Sequence, residues 1–238
     1  MSKSKTLRAP PTNRLLAALP RDEYQQLLPK FDASPLVFGE VIYEAGDRIR
    51  DVYFPTGGII SLLAAVEDRA TLEVGIVGRE GMVGLPAFMG VKTSANRAVV
   101  QGAGTAMRMK VAAFRKECDN GGSLTRLLRR YSHSRLTQIA QGAACNRFHP
   151  IDARLARWLL MSRDRMGADE FQLTQEFLSN MLGVRREGVN KAAGALQDQN
   201  LISYSRGRLL IENRAGLKAI ACDCYGIIKA EYDTFLPK

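Results

Sequence analysis

Residues 174–203, TQEFLSNMLGVRREGVNKAAGALQDQNLIS, hold two helical patterns hinged on one glycine. Thr174 stands where a helix N-cap belongs, since its hydroxyl can accept from a first-turn amide. Phe177 occupies the position where a capping box would place Glu. The first helix is expected over about 174–181. Leu182-Gly183-Val184 follows, and glycine there permits the positive φ of a tight turn. A second helix starting near Arg185 turns Val189, Ala193 and Leu196 inward and Arg185, Arg186, Glu187, Asn190 and Lys191 outward. This pattern predicts a helix-turn-helix whose second helix enters the major groove N-terminal end first. Arg can bond guanine O6 and N7 together and Glu can accept from cytosine N4, so Arg186-Glu187 suits a half-site containing G·C. Arg185 reads or positions beside them. Downstream, SYSRGRLLIEN (203–213) predicts a hairpin whose turn, Arg206-Gly207-Arg208, forms a wing against phosphates. Thr174, Gln175 and Asn190 complete the expected DNA-contacting set, on phosphates or neighbouring base edges.

Upstream, IDARLARWLLMSRDRM (151–166) is a strong amphipathic helix carrying Leu155, Trp158, Leu159 and Met161 on its apolar side. From Ser123 to Cys145 there is no Pro and one Gly (Gly142), and Leu124, Leu127, Leu128, Tyr131, Leu136 and Ile139 recur helically. The spacing predicts a long helix placed to connect two domains or to form a dimer seam. Between about 35 and 115 the texture is different. β-rich runs such as VIYEAG, TLEVGIVG and RAVVQGAGTAMRM alternate with turn residues, and eleven glycines lie from Gly39 to Gly104, which predicts a compact antiparallel barrel or sandwich. NRLLAALPRDEYQQLLPK (13–30) reads as two short helices split by Pro20, and AGLKAIACDCYGIIKAEYDTF as a single closing helix.

Composition sets the outer bounds. The 238 residues are 46% apolar, enough for one or two packed domains and unlike a disordered chain. No run approaches a membrane span, and residues 1–20 lack the apolar core of a secretory signal. Four cysteines do not make a disulfide scaffold, so a reduced cytoplasmic protein without a membrane partner is expected. The net charge of +10 invites a nucleic-acid reading, but residues 1–147 carry 21 Lys+Arg against 13 Asp+Glu and residues 148–238 carry 13 against 11. Part of the excess lies in the tail (Lys3, Lys5, Arg8, Arg14, Arg21). Net charge therefore does not locate a DNA surface; local pattern does. No Ser-His-Asp spacing, HExxH or paired metal-ligand motif is present and there are only two histidines, so no catalytic residues and no enzyme are expected.

The 174–203 stretch resembles the winged helix-turn-helix of the Crp/Fnr transcription factors. The likeness extends through NRLLAAL, GEVIYEAGDRIRDVYFPTGGIISL, the long helix and the wing. It implies an α+β chain in three parts: an antiparallel β-roll (jelly-roll) sensor domain over 13–120, a dimerisation helix over 121–148 and a winged helix-turn-helix over 149–238. It also implies a homodimer on a two-fold site of double-stranded DNA, with RNA polymerase as a further partner. Arg186, Glu187 and Lys191 fall where that family's base-reading residues fall. Arg185 and Gly188 replace small hydroxyl residues, so the family's operator does not carry over intact.

The resemblance also marks a departure. Cyclic-nucleotide-binding members hold the ribose with a Gly-Glu pair and the phosphate with an Arg followed by Ser or Thr. In GMVGLPAFMGVKTSANRAVV, Gly84 matches but Leu85 replaces the Glu. Asn96 takes the Arg position and Arg97 the hydroxyl position, although a one-residue slip would restore Arg97 to the phosphate. A cyclic nucleotide would lose its ribose acceptor, so ordinary cyclic-AMP binding is not expected and the effector is unidentified. With no cysteine before Cys118, an N-terminal iron–sulfur centre is not expected either. His133 reads as a solvated or seam residue and His149 as a capping residue rather than haem ligands. Cys222-Asp-Cys224 has no cysteine or histidine near it in sequence and reads as packing plus an exposed thiol, with Cys145 treated alike. No cofactor and no metal are expected. Two alternatives remain open: a small-ligand protein of cyclic-nucleotide type, and a constitutive regulator whose roll senses nothing.

Overall fold

A computed structural model describes residues 12–65 and 71–237. Lys3, Lys5 and Arg8 of the basic tail lie outside the described residues. The two predicted N-terminal helices are α1 (Arg14–Ala17) and α2 (Arg21–Leu27), parted at Pro20 and followed by a 3-10 turn at Leu28–Lys30. Asn13 caps α1 by accepting from the Leu16 amide at 3.1 Å. Its own amide donates to the carbonyls of Pro55 and Gly81, both at 2.9 Å. One buried side chain thus fixes the first helix to the sheet.

The β-rich region is an antiparallel sheet of β1 (Phe31–Leu36), β2 (Val41–Tyr43), β3 (Asp51–Ala65), β4 (Thr71–Val77) and β5 (Arg97–Lys110). Strands run β1-β5-β3-β4, with β2 also on β5. Long β3 and β5 slip register at Pro55/Gly57, Gly57/Ile59 and Ile59/Ile60, and such bulges bend the pair into a roll. The bend requires glycine: Gly58 has φ +78°, and Gly104 lies so close to the Gly57 backbone that no Cβ fits between them. One face buries Val52, Phe54, Ile76 and Met109; a second cluster gathers Tyr43, Ile60, Val77, Val83, Ala98 and Val100.

After α3 (Val111–Asp119), α4 runs from Ser123 to Phe148, three residues beyond the expected Cys145. It ends at His149 because Pro150 disfavours helical backbone before it. Leu124, Leu128, Tyr131, Gln138 and Cys145 face inward, whereas Leu136 and Ile139 are 62% and 41% exposed and share their face with exposed Ala140 and Ala143.

Helix α5 (Ile151–Met166) matches the predicted span and sits between the two halves. Its apolar residues Leu155, Trp158, Leu159 and Met161 are buried, and so are Arg154, Arg157 and Arg165. Two of these side chains fasten the helix to the roll: Trp158 Nε1 donates to Glu73 Oε1 on β4 at 2.9 Å, and Arg165 pairs with Glu80 at 2.7 Å. Gly167, at φ 71°, closes the helix.

Beyond α5 come β6 (Glu170–Gln172), α6 (Gln175–Leu182), α7 (Arg186–Asp198), β7 (Ile202–Ser205) and β8 (Arg208–Ile211). The expected hairpin gains β6 as a third strand, in the order β6-β8-β7. The closing segment is two helices rather than the expected one, α8 (Arg214–Ile220) and α9 (Cys224–Asp233), broken where Ala221 turns extended at ψ 142°. The break redirects the chain: α8 lies against α5, whereas α9 packs on both α4 and α5 and buries Tyr225, Ile228 and Tyr232.

Candidate nucleic-acid interface and effector pocket

The first turn of α6 is capped as expected, with Thr174 Oγ1 accepting from the Phe177 amide at 3.1 Å. Such a cap is worth about 1 kcal/mol. Gly183 closes the helix in the left-handed region (φ 62°, ψ 40°), and Arg185 in extended backbone starts α7. Leu178, Met181 and Leu182 of α6 and Val189, Ala193 and Leu196 of α7 are buried and hold the two helices together. Arg185, Arg186, Glu187, Asn190 and Lys191 are all exposed on the opposite face. Two cations at the positive end of a helix dipole disfavour the folded state by a few tenths of a kcal/mol. Their placement therefore serves an anionic partner better than it serves folding.

The wing is a two-residue turn in which Arg206 (φ 49°) and Gly207 (φ 78°) both take positive φ, as the twist-matched hairpin requires. It is fastened to the start of α6. The Leu173 amide donates to the Gly207 carbonyl at 2.8 Å, and the Tyr204 hydroxyl to the Leu173 carbonyl at 3.1 Å. Thr174, Gln175, Glu176, Arg186, Tyr204 and Arg206 consequently line one groove. Of the expected contact residues, Thr174, Gln175, Arg186 and Arg206 thus come from three elements into one groove, while Arg208 lines a separate cavity with Phe38 and Gln101. The sequence did not announce the ion pairs that hold two of them: Arg186 Nη2 lies 2.9 Å from Glu176 Oε2, and Arg208 Nε 3.6 Å from Glu170 Oε1. Exposed pairs of this kind contribute ~0–1 kcal/mol and yield readily to a phosphate or a base.

In the roll, Gly84 adopts φ +97° and a Cβ there would press on Val52. Leu85 opens a 3-10 turn (Leu85–Ala87) and leans on the main core. The backbone carbonyl of Asn96 accepts from Ser94 Oγ at 2.7 Å, and Arg97 turns to Glu44 at 3.2 Å across a half-exposed rim. Tyr43, which sequence reasoning passed over, is hydrogen-bonded to both the Ser94 side chain and the Gly84 backbone. Burial pushes its phenol up to about 12, partly opposed by those two bonds. An aromatic ring therefore ties together the two segments from which the expected pocket residues come. Only its position beside residues distant in sequence could have revealed this role.

The cysteines require a correction. Cys222 and Cys224 are not without partners: Cys145 and His149 at the end of α4 reach them, and the four ligand atoms all lie within 4.8 Å of one another. His149 does end α4, but its Nδ1 is 3.5 Å from Cys224 Sγ. The reading of this pair as isolated fails because the fold closes a gap of 77 residues that sequence spacing could not. His133 is 71% exposed, 3.7 Å from Glu231, as a solvated residue would be.

A bent antiparallel roll joined through a long helix to a winged helix-turn-helix defines a DNA-binding transcriptional regulator. Residues 36–120 match the cyclic nucleotide-binding domain family and residues 153–220 the Crp-like helix-turn-helix domain. The chain belongs to the Crp/Fnr family of transcriptional regulators. Among solved structures it is similar to FixK2 from Bradyrhizobium japonicum, with 16% identity, a TM-score of 0.68, and coverage of 81% of this chain and 98% of that one. It is also similar to the c-di-GMP responsive global regulator CLP of Xanthomonas campestris (15% identity, TM-score 0.65, 81% and 99% covered). A third likeness is to a CRP-family transcriptional regulator from Thermus thermophilus (19% identity, TM-score 0.65, 79% and 96% covered). No curated protein matches the chain by sequence. Among the described residues, no helix is long and apolar enough to cross a membrane.

Proposed function

We propose that the chain is a sequence-specific, cytoplasmic DNA-binding regulator that works as a homodimer, with RNA polymerase as its partner on DNA and no catalytic role. The observation that carries this reading is the single exposed face formed by Arg185, Arg186, Glu187, Asn190 and Lys191 of α7 beside the Arg206–Gly207 wing. The second copy belongs on the unpartnered face of α4, where exposed Leu136, Ile139, Ala140 and Ala143 repeat at i, i+3, i+4 and i+7, the spacing of a helix–helix seam. Residues 13–120 act as the sensor, 121–148 as the dimer helix and 149–238 as the DNA-binding unit. Leu85 in place of a carboxylate, Arg97 held by Glu44 and Tyr43 between Gly84 and Ser94 favour an effector other than cyclic AMP. Selection of bound sites from random DNA tests the reading. The expected result is a two-fold symmetric site whose half-sites lie about 10 base pairs apart, centre to centre. Enrichment of asymmetric single sites, or no enrichment, would overturn it.

Base readout and backbone contact separate by substitution. Arg186→Ala should raise the Kd for the selected site about 5- to 150-fold, corresponding to about 1–3 kcal/mol, while leaving mismatched sites nearly unchanged. Arg208→Ala should weaken all sequences alike and reduce the slope of log K against log salt by about one. Titration of both variants on matched and mismatched duplexes checks the pair. Unaltered discrimination in Arg186→Ala would remove it from the reading set.

A further inference from the structure

We propose that Cys145, His149, Cys222 and Cys224 form a mononuclear site for a thiophilic divalent cation of the zinc class, which clamps the end of α4 to the start of α9. The donors come from two short segments. Cys145 and His149 are i and i+4 on the last turn of α4, and Cys222 and Cys224 flank Asp223 at the break before α9. Cys145 Sγ is 3.5 Å from Cys222 Sγ, and Cys224 Sγ is 3.5 Å from His149 Nδ1. A tetrahedral ion with Zn–S of about 2.3 Å and Zn–N of about 2.0 Å sets neighbouring donors about 3.5–3.8 Å apart. A disulfide needs about 2.05 Å between sulfurs, so the thiols have gathered without bonding. Four donors confined within 4.8 Å leave room for one ion and not for the several irons of a cluster. Tetrahedral sulfur–nitrogen coordination selects zinc over the harder divalent ions.

The surroundings supply what such a centre lacks. On binding, the three thiols release their protons to solvent and His149 binds as the neutral imidazole through Nδ1, so three thiolates and one dication leave a charge of −1. Two buried arginines face that charge. Among the described residues Arg157 makes no ion pair within 4 Å; its Nη1 meets Met161 Sδ at 3.4 Å and its Nε has no hydrogen-bond partner. Glu73 lies near enough to feel its charge but makes no ion pair with it, and the thiolates add a further counter-anion for a buried guanidinium. Arg154, which also feels Cys145 and Cys222, donates to Asn146 Oδ1 at 2.9 Å and to the Leu182 carbonyl at the helix-turn-helix turn. Gln141 Nε2 donates to Cys224 Sγ at 3.1 Å, an outer partner of the kind that orients metal ligands. Cys145 and Cys224 are buried, which shields the centre from exchange. The clamp would tie the connecting helix to the C-terminal helices through a bond stronger than apolar packing, with Arg154 leading from it to the DNA-binding turn.

The full-length chain, purified under reducing, oxygen-free conditions without chelator, tests the site by elemental analysis. About one zinc per chain is expected. The zinc-stripped chain should take up one equivalent of cobalt(II), with the intense visible absorption and thiolate-to-metal charge transfer of tetrahedral coordination. Cys145→Ser and Cys224→Ser should lose both signals, and Cys118→Ser, outside the cluster, should keep both. Should a variant not fold, the wild-type chain still decides: zinc should protect Cys145, Cys222 and Cys224 from alkylation, and stripping the zinc should make them reactive. No zinc and no cobalt uptake, a weakly coloured octahedral cobalt spectrum, or iron with acid-labile sulfide would each overturn the proposal.

Discussion

An Arg165→Met variant should lose about 3–5 kcal/mol of stability, among the largest effects expected of a single substitution in this chain. The cost arises from what stays behind. Arg165 Nε bonds Glu80 Oε1 at 2.7 Å, and the two side chains are only 7% and 6% exposed. Glu80 also accepts from the Gly78 amide, at 3.1 and 3.3 Å. The guanidinium donates in addition to the Met161 carbonyl at 3.0 Å and lies 5.8 Å from the Tyr232 ring centre. Methionine fills much of the volume but removes the cation bonded to a buried carboxylate, leaving Arg135, which makes no ion pair with Glu80, as the nearby charge, and that poor compensation sets the magnitude. Calorimetry should show the melting temperature falling by roughly 10 °C or more. Pairing Arg165→Met with Glu80→Gln should restore most of the loss, because the second change removes the stranded charge. A loss below about 1 kcal/mol in the single variant would mean that the pair contributes no more than a surface ion pair does. The position adds consequence, since Glu80 belongs to the turn after β4 of the roll and Arg165 to the last turn of α5. Loosening the pair should loosen the seating of the C-terminal half on the roll.

Which of these features sequence could disclose depends on the distance over which each is encoded. The helix-turn-helix was legible because its determinants are local: a Thr174 cap three residues from Phe177, a glycine needed for positive φ at 183, and inward positions at Val189, Ala193 and Leu196. The span of α5 followed from its apolar period and from Pro150 and Gly167 at its ends. The split of the closing helix was not legible, because Ala221-Cys222-Asp223 contains no Pro or Gly to mark the break. The Cys–His cluster, the Glu80–Arg165 pair and Tyr43 beside Ser94 join residues tens of positions apart, and no periodicity encodes which partners a roll will bring together. Charge shows the same division. The net +10 is mostly carried before Arg147, yet the exposed cations that face a groove are a few residues beyond it.

Stability should fall as pH rises from about 4.5 to about 7, and Glu73 is the cause. Its carboxyl is pushed up from 4.5 to about 7 by burial between β4 and α5, partly opposed by hydrogen bonds from Ser61 Oγ and Trp158 Nε1 and by the charges of Arg157 and Arg165. Ser61 and Trp158 donate at 2.7 and 2.9 Å, and Gln101 bonds Ser61 in turn. The direction follows from proton counting. A folded-state value above the unfolded one means that the folded chain binds more protons in the interval between them, so stability declines as pH rises through it. Below the ordinary carboxylate range both states are protonated and Glu73 costs nothing. Above about 7 both are ionised and the penalty is constant, at about 3 kcal/mol for a shift of this size. Glu73→Gln keeps a group able to accept from Ser61 and Trp158 but cannot ionise. It should flatten stability between pH 4.5 and 7 and leave the variant more stable than the wild type at pH 8. Urea unfolding at a series of pH values measures this, and Trp158, the sole tryptophan and itself a hydrogen-bond donor to Glu73, supplies the fluorescence. A wild-type profile that matches the variant's across this interval would show that Glu73 stays ionised in the fold, stabilised by Arg157 and Arg165 more strongly than burial disfavours it. If the decline is found, the seam between roll and α5 is held by a neutral carboxyl, and raising the pH acts on the contact through which the two halves meet.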